Sequence, residues 1–262
     1  AGFTRLSAPP GEAPDLLLAS FALGVNLNGG SATGALGYLD LGDFQALLDY
    51  DSTLLDDISN RLEIRGSGTN FALAMSGSAY GSFPADGTLV DLTWVVNQSA
   101  LPLTYTGPDE QPHTVSPGHS DLWANGSLLF GNAPRSAGLP GAGVGGARFH
   151  VKATQYVQFF FDDFLFEPGF SGNVLFRQNF ESSSSLAAYH DLSQPTAGQF
   201  SHIGAQTEGG VWSIDGAAGG QWLRLVRSGT TASPGNGAGW MRLNPSLSTQ
   251  PKVMTASFDI GV

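Results

Sequence analysis

Ala19-Ser20-Phe21-Ala22-Leu23-Gly24-Val25 returns 237 residues later as Ala256-Ser257-Phe258-Asp259-Ile260-Gly261-Val262. Reading outward from this pair, the whole of residues 1–25 aligns with 238–262 without a gap. Ala1-Gly2-Phe3-Thr4-Arg5-Leu6 corresponds to Ala238-Gly239-Trp240-Met241-Arg242-Leu243, and Pro14 to Pro251. Ten of the 25 positions are identical, and Phe3/Trp240 and Leu23/Ile260 are conservative. A lone globular domain has no physical reason to begin and end on the same strands. The repetition therefore predicts an array of like units, and assembly rather than catalysis.

The composition agrees with a large β protein. The 262 residues are ample for a sizeable core. Charged residues make up only 13%, so uncharged polar residues and glycine must cover much of the surface. The 36 glycines and 15 prolines are spread along the chain, as expected for many turns between short strands. Seventeen phenylalanines supply large apolar side chains. The net charge of −11, with 11 basic residues, argues against nucleic acid and against anionic membranes. No apolar run reaches the roughly 20 residues that span a bilayer. Cysteine is absent, which excludes thiolate metal sites and thiol catalysis. Ala1 without a preceding Met reads as a processed start, and the expected location is extracellular or at the cell surface.

Strand signals run throughout. Leu16–Val25 is a β-like run ending in the turn Asn28-Gly29-Gly30. Arg61–Arg65 alternates with a period of two and reads as a hairpin with Asn70–Met75. Val90–Val96, Leu103–Thr106 with Thr114-Val115, Ser120–Ala124 with Ser127–Phe130, Ala147–Val151 and Val157–Phe166 complete the first portion. After the punctuation Glu167–Gly172 come Val174–Glu181, Gly210–Ile214 and Gln221–Arg227. The one helical candidate is the short Asp43–Leu48.

Three sets of motifs carry a resemblance. They are Asn179-Phe180-Glu181-Ser182 with Val211-Trp212-Ser213-Ile214; Leu92–Ser99 with Leu103–Asp109; and Asp121-Leu122-Trp123-Ala124-Asn125-Gly126 with Phe160-Phe161-Asp162-Asp163-Phe164-Leu165-Phe166. Together they resemble a concanavalin A-like (LamG-like) domain of secreted bacterial proteins. The resemblance implies an all-β fold, an antiparallel jelly-roll β-sandwich in which the closing Phe-Asp-Asp strand lies beside the opening Phe-Glu strand.

Here the closing strand precedes the opening one. Residues 1–167 therefore read as the later portion of one sandwich, 168–172 as a linker, and 173–262 as the early portion of the next. Three arrangements satisfy this order: a covalent tandem array, completion of one copy by a neighbouring copy, or a fold-back of 173–237 in cis that leaves 238–262 as an overhang. A head-to-tail contact that does not close makes a filament. The expected partners are copies of the chain itself. The expected assembly residues are Phe3, Arg5, Phe21, Ala238, Gly239, Trp240, Arg242, Leu243 and Phe258.

Catalysis is not expected. Two carboxylates across a cleft would be needed for glycoside hydrolysis, and Glu63-Ile64-Arg65 places Arg where a second acid should stand. Asp40/Asp43 and Asp56/Asp57 read as solvated turn residues, and the five histidines are scattered, with His113 and His119 expected to be exposed. Asp162, Asp163 and Glu181 stand out instead. Strand alternation would put the two aspartates on opposite faces, and an inward carboxylate needs a partner. The family resemblance implies a Ca²⁺ ion bridging these strands through Asp162 and Glu181, with Asp163 adjacent. The alternative function is a lectin-like, carbohydrate-binding module, with Trp123, Tyr105 and Tyr38 stacking on glycans. In a chain this rich in Phe, each Trp is more readily a core residue, Trp94 above all.

Overall fold

The computed structural model describes residues 16–42, 58–135, 146–152, 156–168, 176–190, 199–204, 210–217, 220–227 and 240–243. Leu16–Asn26 forms β1, and Asn28 and Gly29 take the left-handed conformation (φ 52° and 74°) that turns the chain into β2, Ala32–Gly42. A meander follows: β3 (Ile58–Gly68), β4 (Asn70–Met75) and β5 (Ser78–Pro84). β6 (Asp86–Asn97) leads to a two-stranded ribbon, β7 (Leu103–Thr106) and β8 (Pro112–Val115), and then to the hairpin β9 (His119–Ala124) and β10 (Ser127–Pro134). Asn125-Gly126, with φ of 49° and 74°, makes that hairpin's turn. β11 (Gly146–Val151) and β12 (Val157–Pro168) close the first portion. Beyond it lie β13 (Phe176–Gln178), a 3₁₀ turn at Leu186–Tyr189, β14 (Phe200–Gly204), β15 (Gly210–Ala217), β16 (Gly220–Arg227) and β17 (Trp240–Leu243).

These strands make two antiparallel sheets and the separate ribbon. One sheet runs β10-β9-β6-β1-β12-β16-β15, with β13 sharing the far edge of β12. The other runs β14-β17-β11-β2-β3-β4-β5. They face one another: Phe149 of β11 meets Phe159 and Phe161 of β12 at ring-centroid distances of 5.0 and 4.6 Å. Tyr80 of β5 meets Phe130 of β10 at 4.8 Å. Burying each such ring is worth about 2–3 kcal/mol, so the aromatic layer is a principal stabilising term. β1 is central in its sheet, which is why its apolar run is continuous and Ala19, Phe21, Ala22, Leu23 and Val25 are all buried.

The all-β expectation and most of the named strands are found; of the described residues in Val174–Glu181 only Phe176–Gln178 is a strand, and Phe180 and Glu181, expected in the opening strand, lie in a turn after it. β2, β5 and β14 were not foreseen, and Asp43–Leu48 lies outside the described residues. Among the described residues no helix is long and apolar enough to cross a membrane.

The second portion of the chain extends both sheets of the first. β13 and β16 pair with β12, and β17 pairs with β11. Of the three arrangements, the pairing within this chain corresponds to the fold-back in cis. It also goes further, because Trp240–Leu243, assigned by the sequence to an overhang, lies between β11 and β14. Of the expected assembly residues, Phe21 is a core side chain stacked on Phe164 at 6.2 Å. Trp240, Arg242 and Leu243 belong to β17. Phe3, Arg5, Ala238, Gly239 and Phe258 lie outside the described residues.

Candidate functional site

The far edge of β12 has two successive partners. Its first half, Val157–Phe161, pairs with β16, and Phe164–Phe166 pairs with β13. Asp162 and Asp163 occupy the point of exchange. On the opposite edge the ladder to β1 is bulged there: Asp163 and Phe164 stand against the single residue Phe21. Asp163 is left-handed (φ 46°), and its N–H donates to Asp162 Oδ1 at 2.8 Å. The bulge changes which residues face the interior, from Phe159 and Phe161 before it to Phe164 and Phe166 after it. The simple alternation expected for Asp162 and Asp163 is thereby corrected, because the extra residue breaks the two-residue period.

Glu181 arrives from the other portion of the chain. Phe180, also left-handed (φ 55°), is fully buried against Phe164 and Tyr189, at 6.3 and 5.3 Å. Such a backbone is costly for a bulky residue. It is held locally: Phe180 N–H donates to Gln178 Oε1 at 2.8 Å, Ser183 N–H donates to the Tyr189 hydroxyl at 2.6 Å, and that hydroxyl lies against the Phe180 carbonyl. Seating Phe180 brings Glu181 to the exchange point, where its Oε1 accepts the N–H of Gln221 at 2.8 Å.

Three carboxylates thus gather where the two portions of the chain meet. Burial pushes Asp162 up to about 7, reinforced by the negative charges of Asp163 and Glu181. Near neutral pH this carboxyl group takes up a proton readily. The oxygen donors are of the type a hard cation prefers, but among the described residues no three His, Asp or Glu side chains converge at metal-ligand spacing.

The expected sugar-stacking residues lie elsewhere. Register places Trp123, with Thr93 and Ser20, on the face of its sheet turned away from the core. The β7–β8 ribbon roofs that face. Trp123 is 1% exposed and Tyr105 3%. Trp123 Nε1 donates to the Tyr105 hydroxyl at 2.8 Å, which donates to Asp121 Oδ2 at 2.6 Å, while Asp121 Oδ1 accepts the N–H of Asn132. Neither ring has a face open to a glycan. His113, expected to be exposed, is half-buried with its ring edge-on to Trp123 at 4.7 Å. Tyr38, half-buried on the second sheet, carries the Arg61 guanidinium over its ring at 4.3 Å.

Asp40 corrects another expectation. It is not a solvated turn residue but a fully buried member of β2, held by Arg61 through two hydrogen bonds of 2.6 and 2.9 Å. Glu63 and Arg65 form a second two-bonded pair beside them, at 2.9 and 3.1 Å. The signal was present in the alternation Arg61-Leu62-Glu63-Ile64-Arg65, whose charged members share one face. Its partner Asp40, on a strand not foreseen, was not legible.

No protein-family model, no curated protein and no solved structure matches this chain.

Proposed function

We propose that this chain is a structural, self-associating β protein, non-enzymatic, whose copies join head to tail into an extracellular filament, sheath or surface array. One observation carries the reading. Trp240–Leu243 belongs to the second copy of the N-terminal sequence, yet it is an interior strand of the sheet built by the first portion. One copy of a segment that occurs twice in the chain therefore completes the sheet of the first portion, as a head-to-tail joint between copies would require. The resemblance to concanavalin A-like domains fits the same reading, with two sheets packed as a sandwich. The edge strand β15, with Val211 63% exposed, offers backbone groups for further pairing.

Asp162, Asp163 and Glu181 serve in this reading as the latch between the two portions. A proton closes it, and calcium is the competing neutraliser. The lectin alternative loses its main support with the burial of Trp123 and Tyr105. Native mass spectrometry over a concentration series, with and without calcium, tests the proposal. Oligomers that lengthen with concentration are expected, and a monomer under every condition would overturn it.

A further inference from the structure

β17 is four residues long and holds a disproportionate position. Its partners on one side are Arg148, Phe149 and His150 of β11, opposite Arg242, Met241 and Trp240. On the other side Leu243, Arg242, Met241 and Trp240 pair with Phe200, His202, Ile203 and Gly204 of β14. β14 has no other strand neighbour among the described residues, so it joins the sheet only through β17. A four-residue strand is joined to its sheet by few hydrogen bonds, and short segments of this kind open at low cost.

The same chain carries a second segment of matching sequence. Ala1-Gly2-Phe3-Thr4-Arg5-Leu6 keeps Ala, Gly, Arg and Leu of Ala238–Leu243 and has Phe for Trp240. Placed in the register of β17, Arg5 would pair with Arg148 and His202 as Arg242 does. Phe3 would stand opposite His150 and Gly204 in register, as Trp240 does. One difference is not conservative: Thr4 would replace Met241 opposite Phe149 and Ile203, which are 1% and 3% exposed. Thr suits a strand but buries less apolar area than Met. Trp240–Leu243 is therefore the stronger occupant and Phe3–Leu6 the weaker.

We infer that the slot between β11 and β14 is an exchangeable docking site for this segment, and that Phe3–Leu6 of a second copy enters it when Trp240–Leu243 leaves. The mode is strand complementation, in which main-chain hydrogen bonds supply most of the affinity. It orients the copies: the start of one chain inserts beside the later strands of another. The inserted strand would run on through Ser7–Asp15, nine residues with Pro9, Pro10 and Pro14, into β1 of its own chain. Asn244–Lys252, with Pro245 and Pro251, is the stretch of sequence that aligns with it in the second copy. This inference rests on the head-to-tail reading and names its joint.

The chain has no cysteine, so engineered thiols report only the intended contact. Register partners in an antiparallel ladder lie about 4.5–5.5 Å apart at Cα, within the span of a disulfide. His150→Cys with Trp240→Cys in one full-length chain should close within the monomer. For exchange, a Phe3→Cys chain is mixed with a His150→Cys chain of different tagged size. A mixed disulfide dimer is expected, increasing several-fold when Met241→Pro in the His150→Cys chain unseats β17. A yield no higher than that of a Phe3→Cys chain mixed with a Leu101→Cys chain would overturn the inference. If Met241→Pro abolishes folding, a synthetic peptide of residues 1–15 with Cys at position 3 must label the full-length His150→Cys chain. Failure to label overturns the inference equally. Filaments without the Phe3–His150 cross-link would leave the assembly reading standing and remove this joint, and the cross-link without filaments would do the reverse.

Discussion

Glu181 accepts the backbone N–H of Gln221 at 2.8 Å, tying the residues after β13 to β16 across the gap where β12 changes partners. Gln221 is 5% exposed, so water cannot readily replace the carboxylate. Glu181→Ala should lower stability by about 1–3 kcal/mol, the cost of a buried unpaired donor. Glu181→Gln keeps an acceptor and should lose much less. Urea unfolding of the two variants measures the difference.

Asp162 sets a pH dependence of definite sign. Its folded value of about 7 lies above the ordinary 3.8, so the folded protein holds the proton more tightly than the unfolded chain. The resulting stabilisation is complete below about pH 4 and is lost as pH rises through about 7. The gap corresponds to an upper bound of about 4 kcal/mol. Asp162→Asn keeps the acceptor for the Asp163 N–H but cannot ionise. It should be more stable than the parent at pH 8, with a flatter profile between pH 5 and 8. Thermal melts across that range would show it, and a steeper profile in the variant would refute the assignment.

The Asp40–Arg61 pair should behave as a buried ion pair. Arg61→Met strands a fully buried carboxylate and should cost about 3–5 kcal/mol. Adding Asp40→Leu should recover most of the loss, since an apolar pair removes the desolvation cost of both charges. Denaturant midpoints of the single and double variants make the comparison.

Tyr105→Phe removes the acceptor of Trp123 Nε1 and the donor to Asp121 together. A loss of about 2 kcal/mol or more is expected, from two buried groups left unpaired. Faster amide hydrogen exchange in Leu103–Thr106 and Pro112–Val115 should accompany it, because the hydroxyl network holds the ribbon to the sheet.

Much of the fold could be read from residue patterns, and the reason is visible strand by strand. β1, β6 and β12 are apolar enough that length and bounding turns identify them, and the alternation of β3 marks a strand with one face polar. β2 (Ala-Thr-Gly-Ala-Leu-Gly-Tyr-Leu-Asp-Leu-Gly) was not legible, since its three glycines and small side chains give no periodic contrast. The site was partly legible. Paired aspartates in an apolar strand and Glu181 after Asn179-Phe180 stood out as anomalies. The bulge that reverses the facing of β12 depends on the ladder to β1, a contact between residues over 130 positions apart. Trp123 shows the opposite limit: its outward-facing register was consistent with a sugar platform, and only the folded ribbon covers it.

Negative-stain electron microscopy of the full chain, over a concentration series at pH 6 and pH 8, tests the assembly most directly. The account predicts linear rows of sandwich-sized particles that lengthen with concentration at both pH values. Isolated single particles at every concentration and at both pH values would contradict it.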